Sequence, residues 1–317
     1  MPSVFLVRDL SGHRAILVAD VILISVFSGD VMNTRTLQRV IPSQATSDGA
    51  GVKLRRSIGQ STQARLDPFL MLDEFGTENP DDYIAGFPSH PHRGFETVTY
   101  MLDGHMLHED HLGNRGDLKS GDVQWMTAGR GIIHSEMPQQ TEGRMRGFQL
   151  WINLPAKEKM KPAGYRDIPA ATIPMVDWPG GGHVKVIAGT LLSPKGAIPG
   201  PIQGLSTAPV YFDIELAAGG VFEHALPPAH NAFIYVYEGD VQIGTESLRA
   251  LPRRSAGVLS QGDSVKIVAA GEGARLILLA ALPLNEPVAQ YGPFVMNTAA
   301  ELDQAVRDYQ TGRLTAV

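Results

Sequence analysis

The sequence contains no cysteine, and this absence excludes two kinds of structure at once. With Cys at 0, the chain can form no disulfide and can offer no thiolate to a metal. Any metal site must therefore be built from histidine and carboxylate side chains, which are available as 10 His and 33 Asp and Glu residues.

Positive charge and long apolar runs are also scarce. Charged residues make up 19% of the chain and the formal net charge is -6, which gives no electrostatic basis for binding nucleic acid. No apolar run is long enough to cross a bilayer. We therefore expect a soluble, mildly acidic, cytoplasmic protein with no nucleic-acid or membrane partner.

Aromatic residues make up a modest 7% of the chain, whereas the counts of 34 glycines and 22 prolines are high. This balance is typical of many short strands separated by turns. A length of 317 residues suits two domains of ordinary size, each able to bury a core.

Two pairs of possible metal ligands stand at the ends of the stretch 87–136. They are His90 with His92 and His134 with Glu136, and each pair has the i, i+2 spacing that places both side chains on one face of a β-strand. A single His is usually a surface or core residue, but two such pairs need partners to offset desolvation. Three imidazoles and one carboxylate suit a divalent first-row metal.

The residues between the two pairs predict the hairpins that would bring them together. Residues 96–102 read as a strand that ends at the turn Asp103-Gly104, and residues 120–126 read as a turn that opens another strand. The two ligand pairs are therefore expected on separate strands.

A family resemblance rests on several motifs, which together extend from about Thr34 to Leu314. They are His-Pro-His-Arg-Gly-Phe-Glu-Thr at 90–97, Gly-Asp-Val-Gln-Trp-Met-Thr-Ala-Gly-Arg-Gly at 121–131, His-Ser-Glu-Met-Pro at 134–138, Asp-Pro-Phe-Leu-Met-Leu-Asp-Glu-Phe at 67–75 and Tyr-Gly-Pro-Phe-Val-Met-Asn at 291–297. This pattern resembles the pirins, a family of the cupin superfamily of small β-barrels.

The resemblance implies an all-β bicupin: two tandem cupin domains with a short C-terminal helix. It places the metal-binding cupin domain at 32–165 and a degenerate cupin domain, with the helix, at 166–317. One metal is implied in the first barrel, with His90, His92, His134 and Glu136 as ligands. Fe(II) is the first expectation, and Ni, Mn, Co, Cu and Zn are alternatives because the same ligands serve them. Glu96 lies near the usual cupin glutamate position, but the pirin pattern takes Glu136.

Two functions of different class follow from the resemblance. One is a flavonol dioxygenase of the quercetinase type, in which the substrates are a small flavonol-like aromatic and O2, and Glu136 is both ligand and catalytic base. The other is a non-enzymatic, metal- or redox-dependent protein that binds and modulates a transcription factor or a metabolic enzyme. In either case we expect a monomer.

The second half repeats the pattern of the first without its ligands. Residues 235–240, 261–263 and 270–273 parallel residues 100–104, 120–122 and 128–131. In that register the position of His134 falls near Arg275 or Leu276, and the position of Glu136 falls on Ile277 or Leu278. His224 and His230 are six residues apart, so we expect no second metal site.

The two ends of the chain and two polar clusters complete the predictions. Residues 1–31 hold an apolar run interrupted by Asp20; a signal peptide and an over-long gene start at Met32 are both open, and we favour an extension outside the fold. A capping box at Thr298–Glu301 predicts the C-terminal helix, ended by Gly312. Arg55 and Arg56 are interpreted as a solvated strand edge. The group His105, His108 and His111 is interpreted as a polar hairpin tip that could support a metal site.

Overall fold

The computed structural model describes residues 33–179 and 181–316, together with the backbone of 5–8 and 14–17. The chain divides into two units, 1–33 and 34–317. The first unit contains an antiparallel hairpin of β1 (Phe5–Arg8) and β2 (Arg14–Leu17). The rest of the extension predicted over residues 1–31 lies outside the described residues.

The second unit is built almost entirely of strands. The strands of its first half are β3 (Thr34–Arg35), β4 (Leu37–Pro42), β5 (Gln44–Asp48), β6 (Val52–Arg56), β7 (Phe69–Thr77), β8 (Phe87–His92), β9 (Phe95–Asp103), β10 (His105–Asp110), β11 (Arg115–Lys119), β12 (Val123–Thr127), β13 (Ile132–Pro138), β14 (Met145–Asn153) and β15 (Gly164–Ile168). Short 3-10 turns lie at Thr62–Ala64, Pro80–Asp82, Ala156–Glu158 and Ala170–Thr172.

The second half adds further strands and one helix. They are β16 (Met175–Asp177), β17 (Gly182–Ala188), β18 (Thr190–Ser193), β19 (Gly196–Pro199), β20 (Val210–Leu216), β21 (Val221–Ala225), β22 (Asn231–Ile243), β23 (Arg249–Leu251), β24 (Ser255–Leu259), β25 (Ser264–Ala281), β26 (Ala289–Tyr291), β27 (Phe294–Met296) and α1 (Ala299–Gln310). None of the described helices is both long and apolar enough to span a bilayer.

The strands form two cupin barrels, as the sequence predicts. The first barrel combines a seven-stranded sheet, in the order β15-β12-β9-β14-β7-β6-β5, with a four-stranded sheet, in the order β11-β10-β13-β8. The second barrel is a ten-stranded sheet along the path β16-β17-β20-β25-β22-β24-β4, with β3, β21 and β23 attached. Side chains of Tyr100, Phe148, Tyr211 and Tyr235 belong to one large core shared by both halves.

Segments at the two ends of the second unit cross between the barrels. Strand β4 pairs with β24, so the residues that follow Asn33 complete the sheet of the second barrel. Conversely, Val295 N donates to the Arg93 carbonyl at 3.0 Å. This hydrogen bond joins the C-terminal segment to the first barrel. The domain boundary between residues 165 and 166 stays a prediction. The pairing shows that each barrel includes residues from the other half of the sequence.

The C-terminal helix begins where its capping box predicts. The Thr298 side chain accepts from Glu301 N at 3.3 Å, and the Glu301 carboxylate accepts from Thr298 N at 2.8 Å. These reciprocal bonds satisfy backbone donors that have no partner within the helix. Gly312, which lies past the helix end, has a φ of 71°, a conformation that glycine adopts without strain.

Candidate metal centre and cavity

Three histidines converge inside the first barrel. His90 and His92 lie on β8, and His134 lies on β13 directly opposite His90 in the antiparallel pair. Pro88 and Pro91 keep β8 extended, because a residue before proline avoids the helical region. The extended backbone and the strand register together turn the i, i+2 histidine pair and His134 toward one point.

The distances between these imidazoles match those of ligands around one metal ion. Nε2 of His90 lies 3.0 Å from Nε2 of His92 and 2.9 Å from Nε2 of His134. Two nitrogens bound at a right angle to one metal, each about 2.1 Å from it, lie about 3.0 Å apart. Among the described residues, His90, His92 and His134 are the group whose potential ligand atoms all lie within 4.8 Å of one another.

The second ring nitrogens of His90 and His134 contact groups outside the cluster. Nδ1 of His90 lies 2.8 Å from the Pro88 carbonyl, to which it can donate. Nδ1 of His134 contacts Nε2 of His108, a side chain that is 1% exposed. Donation from Nδ1 leaves Nε2 unprotonated, and this is the tautomer that a metal requires.

His108 corrects the hairpin-tip interpretation. It lies within β10 and points into the barrel against His134, whereas His105 pairs with Asp117 at the surface. His111 is exposed beyond the strand end and accepts from Ile133 N at 3.3 Å. Only the middle histidine of the three therefore supports the cluster.

Burial keeps the imidazoles of His92 and His134 neutral. Desolvation is the main cause that holds the pKa of His92 well below its usual range, and the neighbouring His90 adds to it. The pKa of His134 is lowered well below its usual range in the same way, by burial first and then by His92 and His90. Neutral rings present free lone pairs at neutral pH, so His92 and His134 fit a divalent metal.

Glu136 is buried beside the histidines but outside their cluster. One carboxylate oxygen, Oε1, accepts from the Thr99 hydroxyl at 3.0 Å, and the other, Oε2, accepts from the Gln149 amide at 3.4 Å. The carboxylate is 4% exposed. Its assignment as the fourth ligand stays a prediction. Glu96 has no part in this group, because it accepts from Thr127 at 2.7 Å and from Trp125 at 3.3 Å.

A cavity of about 600 Å³ opens onto this site. His90, His92, Glu136 and Gln149 line one part of it, and Arg56, Asp73 and Asp48 line another. The remaining walls are largely apolar, with Leu54, Leu70, Met71, Phe75, Phe87 and Trp151. Enclosure by apolar walls with a few polar groups is typical of a site for a small organic molecule.

A row of polar side chains crosses the interior face of the seven-stranded sheet, with one residue on each of six neighbouring strands. We call this row the polar belt, and it consists of Arg56, Asp73, Gln149, Thr99, Gln124 and Asp167, each opposite the next in the strand register. Residues directly opposite on adjacent strands share a face of the sheet. The belt therefore runs from the cavity, past Glu136, to the edge strand β15.

The sequence reading missed most of this belt, and it misassigned Arg56. Arg56 is not a solvated strand edge: its guanidinium donates to both oxygens of Asp73, at 2.8 and 2.7 Å, and lines the cavity. The available signal was a polar residue within a buried apolar run, as at Asp73 after residues 69–72. Spacing along one strand does not reveal which residues meet across six strands.

The second barrel has no comparable group among the described residues. Its interior is a cluster of aliphatic and aromatic side chains, including Val186, Phe212, Ile214 and Leu276. His224 Nε2 accepts from Leu192 N at 2.8 Å, and burial lowers the pKa of His224 to about 4. His224 is thus a core histidine whose acceptor is satisfied.

Comparison with known proteins identifies the family. The Pirin family profile matches residues 51–152, and the profile of the Pirin C-terminal cupin domain matches residues 211–315. A protein of Pseudomonas aeruginosa named "Putative quercetin 2,3-dioxygenase" is 56% identical over 270 residues, which are 84% of this chain and 94% of that protein. This chain belongs to the pirin family.

Other pirins and one solved structure agree with this assignment. The human protein Pirin is 42% identical over 275 residues, which cover 86% of this chain and 91% of that protein. A crystal structure of quercetin 2,3-dioxygenase from Acinetobacter baumannii has a TM-score of 0.80 and 33% identity, and it covers 89% of this pirin and 98% of that chain. The predicted family and bicupin fold are thus confirmed.

Proposed function

We propose that this pirin is a metal-dependent dioxygenase that opens the central ring of a flavonol with O2. The observation that carries the proposal is a cluster of three convergent imidazoles beside a buried carboxylate, with a largely apolar cavity that reaches His90, His92 and Glu136. The names of the Pseudomonas and Acinetobacter relatives support the substrate class.

His90, His92 and His134 would hold the metal, for which Fe(II) is our first choice. When bound, a divalent metal supplies Lewis-acid and redox chemistry that no side chain of this cavity can supply. The protein's own contribution is to fix the tautomer of two of these rings, through the Pro88 carbonyl for His90 and through His108 for His134. Such supporting contacts orient metal ligands and tune their basicity.

Glu136 would take the proton of the substrate hydroxyl. Its oxygens are held by Thr99 and Gln149, so the carboxylate is already oriented before the substrate enters. Leu54, Phe75 and Trp151 would cover the faces of a flat aromatic substrate and exclude water from the site. Removing water strengthens every electrostatic interaction within the cavity.

Glu136→Gln separates catalysis from metal binding. Gln keeps the size and one acceptor oxygen but lacks the basicity, and loss of a general base costs on the order of a hundred- to ten-thousand-fold in rate. We expect the variant to keep most of its metal and to lose quercetin turnover by that factor, measured as O2 uptake and as loss of flavonol absorbance. Glu109→Gln, an exposed change on β10, is the matched control and should match the wild type.

Two results would contradict parts of this proposal. A metal-loaded wild type that binds quercetin but consumes no O2 would reject the enzyme and favour the metal-dependent binding protein. Equal turnover by the wild type and Glu136→Gln would keep a dioxygenase but remove Glu136 as its base.

A further inference from the structure

The cavity has a second polar group, separate from the histidines. Arg56 donates to both oxygens of Asp73, at 2.8 and 2.7 Å, and to Asp48 at 3.1 Å. Asp73 is 2% exposed, while the Asp48 side chain is 54% exposed. All three line the cavity together with His90 and Glu136. A buried carboxylate that faces a cavity offers hydrogen-bond acceptors to whatever occupies it.

The strand register sets the separation between the two polar groups. Asp73 lies opposite Gln149, and Gln149 contacts Glu136. Neighbouring strands lie about 4.8 Å apart, so Asp73 is about one strand spacing and Arg56 about two spacings from Gln149. A molecule that reaches both groups must therefore extend over roughly 5 to 10 Å, which is the scale of two strand spacings.

The charges define what the second group can accept. Two carboxylates face one guanidinium, so the three residues carry a formal charge of about -1, while Arg65, elsewhere on the cavity wall, donates to Gln290. An ionised carboxylate has about four acceptor positions, and Arg56 occupies one on each oxygen of Asp73. Acceptors remain for neutral O–H donors.

We propose that Asp73 and Asp48, held by Arg56, form a second anchoring subsite that binds free phenol hydroxyls on the pendant ring of the flavonol, the ring attached by a single bond next to the hydroxyl that faces Glu136. This inference rests on the proposed function and refines its substrate class. The preferred flavonol carries unmodified hydroxyls on this pendant ring, and apolar side chains such as Phe75 cover the ring system between the two polar groups.

The test compares quercetin with galangin, a flavonol that keeps the fused-ring hydroxyls of quercetin but lacks both of its pendant-ring hydroxyls. Binding to the iron-loaded protein is measured without O2, through quenching of tryptophan fluorescence, since Trp151 lines the cavity. A hydrogen bond to a charged carboxylate contributes about 1.5 to 3 kcal/mol, or roughly ten- to a hundredfold in affinity. The wild type should therefore bind quercetin at least about tenfold more tightly than galangin.

Asp73→Asn and Asp48→Asn probe the subsite, and Asp303→Asn on the exposed side of α1 is the matched control. Asp73→Asn should weaken quercetin binding at least about fivefold and leave galangin binding unchanged, because only quercetin donates there. Asp48→Asn should likewise weaken quercetin binding relative to galangin binding. If Asp73→Asn does not melt cooperatively, Asp48→Asn decides, because Asp48 is largely exposed.

The subsite would be overturned if the folded variants kept the wild-type ratio of quercetin affinity to galangin affinity. It would also be overturned if the wild type bound the two flavonols equally tightly. Turnover is scored separately, so the two claims fail in different ways. If the wild type binds quercetin more tightly than galangin but turns over neither, the dioxygenase is rejected and the subsite is kept. If it turns over both flavonols and the variants leave the ratio of the two affinities unchanged, the subsite is rejected and the dioxygenase is kept. A wild type that binds neither flavonol overturns both.

Discussion

At the scale of single residues, Thr99 is placed to position Glu136. Its hydroxyl lies 3.0 Å from Glu136 Oε1 and 2.6 Å from Gln149 Oε1, on a side chain that is 4% exposed. Neither Thr99 nor Gln149 would touch the metal. The effect of Thr99 on the reaction would pass through the orientation of the Glu136 carboxylate, since Thr99 does not line the cavity.

Thr99→Val should therefore lower kcat without changing metal content. Valine keeps the branched shape but removes the donor, and a misplaced catalytic group can cost on the order of a hundredfold in rate. Thr99→Ser restores the hydroxyl and with it a hydrogen bond worth about 1 kcal/mol. Its kcat should therefore return to within about threefold of the wild-type value. Steady-state kinetics and elemental analysis of both variants check this. Equal rates for the valine and serine variants would show that Thr99 has only a packing role.

The sequence predicted some residues of the site and not others, for a physical reason. His90 with His92 and His134 with Glu136 are visible because each pair lies on one strand, where the side-chain period is two. Thr99, Gln149 and His108 become neighbours of Glu136 and His134 only through pairing between strands. That register depends on turn lengths and packing, which spacing along one strand does not determine.

At the scale of elements, burial of His224 should make the second barrel sensitive to acid. His224 lies on β21, and burial lowers its pKa to about 4, against about 6.5 in an unfolded chain. Between those values the unfolded state binds a proton that the folded state cannot. Stability is therefore lost as pH falls from about 6.5 to about 4, by up to about 3 kcal/mol from this residue.

His224→Gln should reduce this loss, because glutamine does not titrate and can still accept from Leu192 N. Melting temperatures from pH 7 to pH 4 should fall less steeply for the variant than for the wild type. His111→Gln, at an exposed position, serves as the control and should follow the wild-type curve. Parallel curves for His224→Gln and the wild type would show that His224 takes up its proton without unfolding.

The elements themselves followed the sequence more closely than their arrangement did. The sequence predicted strands at β9 and β12, and the capping box predicted α1. The exchange of β4 into the second sheet was missed, since its pattern of buried and exposed residues suits either barrel. Local pattern identifies a strand, but the partner strand is chosen by tertiary packing.

At the scale of the whole molecule, the C-terminal segment is part of the first barrel. Arg93, the residue after His92, is 4% exposed; it bonds to Asp308 at 2.8 Å and to the Leu314 carbonyl at 3.2 Å. Lys159, 1% exposed, donates to the carbonyls of Gly94 at 2.8 Å and Val295 at 3.0 Å. These buried cations tie the far end of the sequence to the strand that carries the histidine pair.

Asp308→Asn should destabilise the protein by about 3 kcal/mol, because it leaves the buried charge of Arg93 without its partner. Urea unfolding measures this change, and Asp303→Asn on the same helix should stay within about 0.5 kcal/mol of the wild type. An Asp308→Asn variant as stable as the wild type would mean that the Leu314 carbonyl and solvent satisfy Arg93 without the carboxylate.

The whole-molecule claim on which the proposed chemistry depends is that only the first barrel holds a metal. Three imidazoles converge in that barrel, and the corresponding positions of the second are filled by core residues such as Leu276 and Leu278. Elemental analysis after reconstitution with Fe(II) tests this most directly. We predict about one metal ion per chain for the wild type and close to none for His134→Ala, because affinity follows the number of convergent ligands. Two ions per chain, none in the wild type, or an unchanged content in His134→Ala would contradict it.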